Sequence, residues 1–353
     1  MSNSDSWRDW QLANLKKQLE IASTVRMTHP DAYDAPCPSG MPMDPQSTQD
    51  IKKKRKQLAK SCVGCKQLET KDRVFKVCSK CQARFYCSKE CQRNDWPEHK
   101  LTCSKFQRQK RLQKLATTLF VNFDLSAFLS FAVIYKLGLL NPPKRDREPF
   151  SILVHLAVEP VDILDFARIR GDLGPDEAAI TGGRKQGMIQ VTGILPCPEH
   201  LLPHETLAEF GRLKGSKSVE YASGNSGPVG ALVFMLGDVT FELPSVIVAG
   251  ILEMAREADP FTQIIGDTGR TRTLPITVET CIEYINTKIR ADKDNRFLLR
   301  TEVTAVDEEF IRKAAKDVDP LAEDSIFLAL AKQRMRNEYI YKILLGLTLV
   351  PIR

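Results

Sequence analysis

Seven cysteines and one histidine crowded into a short span constrain this chain more than any other feature. They are Cys62, Cys65, Cys78, Cys81, Cys87, Cys91, His99 and Cys103, spaced C-x2-C-x12-C-x2-C-x5-C-x3-C-x7-H-x3-C. Eight soft donors are enough for two four-coordinate Zn2+ ions, because structural zinc takes thiolate sulfur and imidazole nitrogen in a closed tetrahedron. A disulfide framework explains the string less well: the cysteines in it are odd in number and the eighth position is a histidine. The first residues, Met1 to Trp7, show no basic stretch leading into an apolar one, so no export signal is visible and a reducing, intracellular setting, nucleus or cytoplasm, is expected. Cys37, Cys197 and Cys281 stand apart and read as ordinary free thiols.

The segment also needs metal for a thermodynamic reason. Its large apolar side chains are few: Val63, Leu68, Val74, Phe75, Val77, Phe85, Tyr86, Trp96 and Leu101. Units of about 40 residues rarely build a sufficient core without metal or disulfide staples. Local signals place the ligands. Val74 to Val77 and Ala83 to Tyr86 read as short strands around a turn at Cys78 to Cys81. Ser88 is a good N-cap for a helix carrying Cys91, and Pro97 suits the first turn of a second helix entered at Asp95 or Trp96. His99 and Cys103 then lie one turn apart on a single face. Spacing leaves two pairings open: a sequential one, with Cys62, Cys65, Cys78 and Cys81 on one ion, and an interleaved one.

The ligand string resembles the MYND-type zinc finger family. So do the runs Phe85-Tyr86-Cys87-Ser88-Lys89-Glu90-Cys91-Gln92 and Trp96-Pro97-Glu98-His99-Lys100. The resemblance covers residues 62 to 103. It implies the interleaved arrangement, with Cys62, Cys65, Cys87 and Cys91 on one zinc and Cys78, Cys81, His99 and Cys103 on the other. It also implies a protein-interaction module that takes proline-containing peptides, with Gln92 and Trp96 as the matching groove positions. An indole face packs well on a pre-extended proline segment, and a carboxamide can bond a peptide carbonyl. The competing reading of Trp96 is that it fills a very small core. Such fingers also occur in SET-type lysine methyltransferases, which the resemblance implies should show an Asn-His signature. Here His155, His200 and His204 follow Val154, Glu199 and Pro203. No catalytic residue is nominated, and no enzymatic role is expected.

Charge supplies the rival signal. Between Asp50 and Lys114 there are 20 Lys and Arg against 6 Asp and Glu, so this stretch carries +14 of a chain whose net charge is +7. The densest run is Lys52-Lys53-Lys54-Arg55-Lys56, and Lys105, Arg108, Lys110, Arg111 and Lys114 follow the finger. Such stripes serve nuclear import or contact nucleic-acid phosphates, or are simply a solvated face. A nucleic-acid-associated regulator is therefore the alternative function, although no interleaved aromatics point to sequence-specific DNA reading.

At 353 residues, with 42% hydrophobic and 27% charged composition, the chain has room for a folded domain beyond the finger. The expected organisation is an N-terminal amphipathic helix in residues 1–26, a flexible basic-ended linker in 27–57, the finger in 58–106 and a domain in 107–353. The fold class expected is α+β: a two-zinc finger followed by a mixed domain with a small sheet and several helices. Leu115 to Leu140 is the most apolar stretch, but its clean part, Leu125 to Tyr135, is too short to cross a bilayer and reads as part of a buried helix pair. Strands are expected at Phe150–Val158, Met188–Leu195, Gly230–Leu236 and Val239–Leu243. Helices are expected at Pro244–Ala258, Val278–Arg290, Asp307–Lys316 and Ala322 to about Leu347. The run Pro196 to Pro203 is a candidate for occupying the finger's own groove in cis.

Overall fold

The computed structural model describes residues 26–28, 46–58, 62–65, 67, 69–70, 72–103, 105–141, 150–171, 184–197, 228–247, 249–265, 270–316, 319, 321 and 325–341. The expected N-terminal helix, Cys37, His200, His204 and most of the Pro196–Pro203 run lie outside them. In chain order the strands are β1 (Arg26–Thr28), β2 (Lys76–Val77), β3 (Phe85–Tyr86), β4 (Phe150–Pro160), β5 (Gln186–Pro196), β6 (Val229–Leu236), β7 (Val239–Val246), β8 (Phe261–Ile265), β9 (Arg270–Leu274) and β10 (Arg300–Glu302). The helices are α1 (Thr48–Gln57), α2 (Lys89–Thr102), α3 (Lys105–Val121), α4 (Phe123–Leu137), α5 (Ile163–Arg170), α6 (Ala249–Glu257), α7 (Val278–Ala291), α8 (Ala305–Ala315) and α9 (Ser325–Asn337).

The architecture is α+β. A five-stranded sheet runs β10-β5-β4-β6-β7, antiparallel throughout except for the parallel β4/β6 pair. The central strand β4 is buried along nearly its whole length, which explains its continuous apolar sequence. Ile152, Val154, Leu156 and Val158 enter the main core with Leu112, Leu119, Phe128, Phe131, Tyr284 and Ile285 from α3, α4 and α7. Phe166, Ile311, Leu328 and Met335 from α5, α8 and α9 make a second cluster. Among the described residues no single helix is long and apolar enough to cross a membrane; α3 and α4 form a pair bent by 92°. Most of α4's apolar side chains are buried in the main core. That helix stops at Gly138, whose φ of 65° is the left-handed geometry glycine adopts without strain.

Three expectations need correction. The basic run placed in a flexible linker is the ordered helix α1. Ser47 caps it by accepting from the Asp50 N–H at 3.1 Å, while Lys54, Arg55 and Lys56 sit in the last turn, where the helix dipole favours cations. Its single large apolar residue, Ile51, is fully buried, and Arg55 donates to Thr118 at 3.2 Å. Gln46 ties the entry to the α3/α4 corner, donating to the Val121 carbonyl at 3.0 Å and accepting from the Phe123 N–H at 3.1 Å. Second, Pro244 does not start a helix. β7 runs through it to Val246, since at a sheet edge a missing N–H need not interrupt the ladder. Third, β1, β8 and β9 form a separate antiparallel sheet that the sequence reading did not anticipate.

A buried ionic network joins β4, α7 and α9. Arg334 in α9 bonds Glu159 of β4, Glu338, and the Tyr341 hydroxyl at 3.1 Å. Arg290 of α7 reaches Glu338 at 2.6 Å and the Tyr341 hydroxyl at 2.7 Å. Asn286 donates to Glu338 at 2.8 Å and to the Val191 carbonyl at 2.9 Å, and accepts from the Val191 N–H at 2.8 Å.

His155 is buried on β4, with Nδ1 2.5 Å from the Thr192 hydroxyl and its ring stacked 4.5 Å from Phe327. Burial, aided by the Arg334 charge, drives its pKa from an ordinary 6.5 down to about 3. The unfolded chain therefore binds the extra proton first, so the stability that neutral His155 provides is complete above 6.5 and declines as pH falls towards 3. At pH 5 the loss should be about 2 kcal/mol. Urea midpoints at pH 7.5 and pH 5 should differ for the wild type, and the difference should shrink in His155→Gln. Identical pH slopes in the two proteins would contradict this assignment.

Candidate metal centre

The finger is assembled from two knuckles, one hairpin and one helix. The Cys62–Cys65 knuckle is closed by the Cys62 N–H donating to the Gln67 carbonyl at 2.8 Å. The Val63 N–H ties it to β3 through the Phe85 carbonyl at 2.9 Å. The second knuckle turns at Gln82, whose φ is 54° and whose N–H returns to the Cys78 carbonyl at 2.8 Å. β2 and β3 pair in the register Lys76↔Tyr86 and Val77↔Phe85, and Cys78, just after β2, lies against the C-terminal end of α2 beside His99 and Cys103. Ser88 caps α2 by accepting from the Cys91 N–H at 3.2 Å. Cys87, just before the cap, and Cys91, in the first turn, therefore converge, with sulfurs 3.5 Å apart.

One helix, not two, carries the remaining donors. α2 runs unbroken from Lys89 to Thr102 with Pro97 inside it. The proline deprives the Arg93 carbonyl of its usual partner, but both residues are exposed and water can take that bond. Asp95 holds the middle of the helix to β3, accepting from Arg84 at 2.5 Å and from the Tyr86 hydroxyl. Burial opposes the Asp95 charge, yet the Tyr86 and Arg84 hydrogen bonds keep its carboxyl below the usual range. This Arg84–Asp95–Tyr86 brace was not read from the sequence, where Asp95 looked like a helix entry.

The eight donors fall into two groups: Cys62, Cys65, Cys87 and Cys91 in one, Cys78, Cys81, His99 and Cys103 in the other. Within each, all donor atoms lie within 4.8 Å of one another. The arrangement is interleaved. In the first group Cys65 and Cys87 are 3.4 Å apart; in the second, Cys78 and Cys103 are 3.9 Å apart. His99 Nε2 lies 3.3 Å from Cys78 and 3.5 Å from Cys81. A tetrahedral zinc spaces two sulfurs by about 3.8 Å, and a sulfur and a nitrogen by about 3.6 Å. A disulfide needs about 2.05 Å. The described cysteines are all free thiols, and the donor set fits two Zn2+ ions.

Electrostatics point the same way. Burial opposes ionisation of Cys62, but the backbone N–H groups of Cys87 and Cys65 and the neighbouring thiols outweigh it and hold the thiol at about 6. Cys78 is likewise held at about 6, by the Cys81 backbone and His99 against its burial. Its neighbour Cys103 is pushed up to about 11, by burial first and then by Cys78 and Cys81. Crowded thiols that cannot all ionise alone are the environment in which a bound dication supplies the missing charge. The finger's own core consists largely of the ligands, Cys78, Cys81 and Cys103, with Tyr86.

Gln92 and Trp96 lie one turn apart on α2. Trp96 is 42% exposed and makes an edge-on contact with His99 at 5.7 Å, and Gln92 is half-buried. Of the isolated thiols, Cys197 and Cys281 are buried in the larger domain.

A profile for the MYND finger matches residues 55–103, and one described as Domain of unknown function (DUF8205) matches residues 107–344, more than half of the chain. Curated relatives match over short stretches. N-lysine methyltransferase SMYD2-A of Danio rerio is 48% identical over 40 residues, 11% of this chain and 9% of the relative. N-lysine methyltransferase SMYD2 of Homo sapiens is 45% identical over 40 residues, again 11% and 9%. The SET domain and MYND-type zinc finger protein 6 of Schizosaccharomyces pombe is 39% identical over 54 residues, 15% and 11%. The chain thus spans only about a tenth of the length of these relatives. No solved structure matches.

Proposed function

This chain belongs to the DUF8205 family and carries a MYND finger, and we propose that it is an adaptor whose finger binds proline-containing segments of other proteins. Cys62, Cys65, Cys87 and Cys91 hold one zinc, and Cys78, Cys81, His99 and Cys103 hold the other. The ions are structural: every donor position is filled by protein, leaving no open site for substrate or water. The observation that carries the reading is the exposed indole of Trp96 beside Gln92, on a helix that contributes donors to both metal groups. A rigid, half-exposed aromatic suits the flat, pre-extended face of a proline segment. We infer an intracellular setting, nucleus or cytoplasm, which the thiolate donors support because a reducing compartment keeps them available to metal.

The likeness to the methyltransferase relatives is confined to short stretches, about a tenth of each of those proteins. We propose a binding role rather than a catalytic one. A nucleic-acid-associated role is the second reading, favoured by the exposed Lys52, Lys53 and Lys56 on α1. Contact of that kind would weaken steeply with salt.

The groove is tested by titrating a proline-rich peptide into zinc-loaded wild type and Trp96→Ala. Loss of an aromatic anchor should cost about 2 kcal/mol, roughly thirtyfold in affinity, with zinc content unchanged. Equal binding by both proteins would remove Trp96 from the site.

A further inference from the structure

We propose that the Gln92–Trp96 groove selects proline-containing peptides that carry acidic residues beside the proline, an inference that rests on the groove reading above. Arg93 stands three residues before Trp96, Lys100 four after it and Lys89 seven before it. At 3.6 residues per turn, all three project from the side of α2 that carries the indole. All three are exposed. The helix's carboxylates are disposed otherwise. Asp95 is turned against Arg84 and Tyr86, and Glu98 follows Trp96 by two residues, which puts it on another face.

Of the carboxylates on α2, Glu90 is the one beside Lys89 and Arg93. Its own backbone N–H and Ser88 hold its pKa down, with Arg93 and Lys89 contributing. One carboxylate against three cations leaves the rim basic. The zinc–thiolate groups do not cancel this. Three net negative charges on the two centres still leave about +11 between Asp50 and Lys114. An uncharged proline ligand would leave that potential unused, whereas glutamate, aspartate or phosphoserine beside the proline would meet it. Because the cations sit at a rim and not in a pocket, they act mainly on encounter rate and on salt dependence.

The test uses the full-length zinc-loaded chain and fluorescence anisotropy. Two labelled peptides share one proline-rich core, the first flanked by glutamates and the second by glutamines. Each exposed pair is worth on the order of two- to fivefold, so the glutamate peptide should bind about tenfold more tightly at low salt. The advantage should fade as salt is raised. It should vanish in a Lys89→Glu, Arg93→Glu double variant that binds the glutamine peptide as the wild type does and retains its zinc. Lys100→Gln gives a milder variant in which the advantage should shrink by half or more. Equal affinity for the two peptides overturns the inference and leaves the groove reading standing. Failure of both peptides to bind overturns the groove reading and the inference with it. If a short DNA duplex displaces the glutamate peptide at the same charge concentration, the rim reads phosphates and the acidic-peptide assignment is wrong.

Discussion

Cys87→Ser will unfold the finger while leaving the larger domain folded. Structural zinc contributes on the order of 10 kcal/mol or more to small finger peptides. Here the ligands themselves form most of the finger's core, so losing a ligand removes packing as well as coordination. The two metal groups share mechanical parts. Cys91 at the start of α2 belongs to the first, and His99 in that helix with Cys103 at its C-cap belongs to the second. The Val63–Phe85 hydrogen bond couples the first knuckle to the hairpin that leads from the second. Metal loss at one group should therefore loosen the other, and measured zinc should fall from two equivalents to well below one. Hydrogen exchange by mass spectrometry should show residues 72–103 exchanging freely while β4 and α7 keep their protection. A variant with its full zinc complement and wild-type exchange across α2 would show that Cys87 is no ligand. In a sequential arrangement, Cys87→Ser would instead spare one intact four-cysteine site, giving one tightly held equivalent.

Arg334→Met should be the most damaging single change in the larger domain. The methionine fills similar volume but leaves Glu159 and Glu338 without their shared partner in a region only 2% and 3% exposed. Breaking a buried ion pair from one side costs about 3–5 kcal/mol, a large share of the 5–15 kcal/mol typical of a domain. The effect should reach both sheet and helices, because the network ties β4, β5, α7 and α9 to Tyr341. Burial works against the Glu338 charge, but Arg290, Arg334 and Asn286 prevail and hold its carboxyl below the usual range. The stability it contributes is therefore present above the ordinary carboxylate pKa and lost as pH falls through the lowered one. Urea unfolding followed by circular dichroism gives the cost directly. A loss below about 1 kcal/mol would mean that Glu159 and Glu338 find other partners. Apolar replacement of all four charged residues of the network, Glu159, Arg290, Arg334 and Glu338, should restore much of what the single change removes, since the desolvation cost then disappears with the charges.

The candidate site was largely legible because zinc ligation depends on residue type and short spacing, and both are local. The same holds for the Ser88 cap, the β2/β3 hairpin and the long apolar strands β4 and β5. Arg334 and Glu338 were not legible as a buried pair. At i and i+4 on a helical pattern nothing distinguishes them from a surface ion pair, and only Glu159 and Tyr341 packed over them make them interior. Helix α1 was missed for a related reason. Its run of lysines looks fully solvated, and one isoleucine is too little to signal docking until Thr118, Val121 and Phe123 are brought alongside. The short strands β1, β8, β9 and β10 carry too few apolar positions to show a two-residue period.

The amino-acid order by itself determined that this protein holds metal, which eight side chains are the donors, and that a mixed sheet with helices follows. It did so because donor chemistry, capping and strand periodicity act between near neighbours. Only the tertiary structure decided which four donors meet, that the basic run docks as a helix, and that a pair of arginines lies in the interior. Those outcomes depend on contacts between residues far apart in the chain, whose free energy exists only once the fold has brought them together.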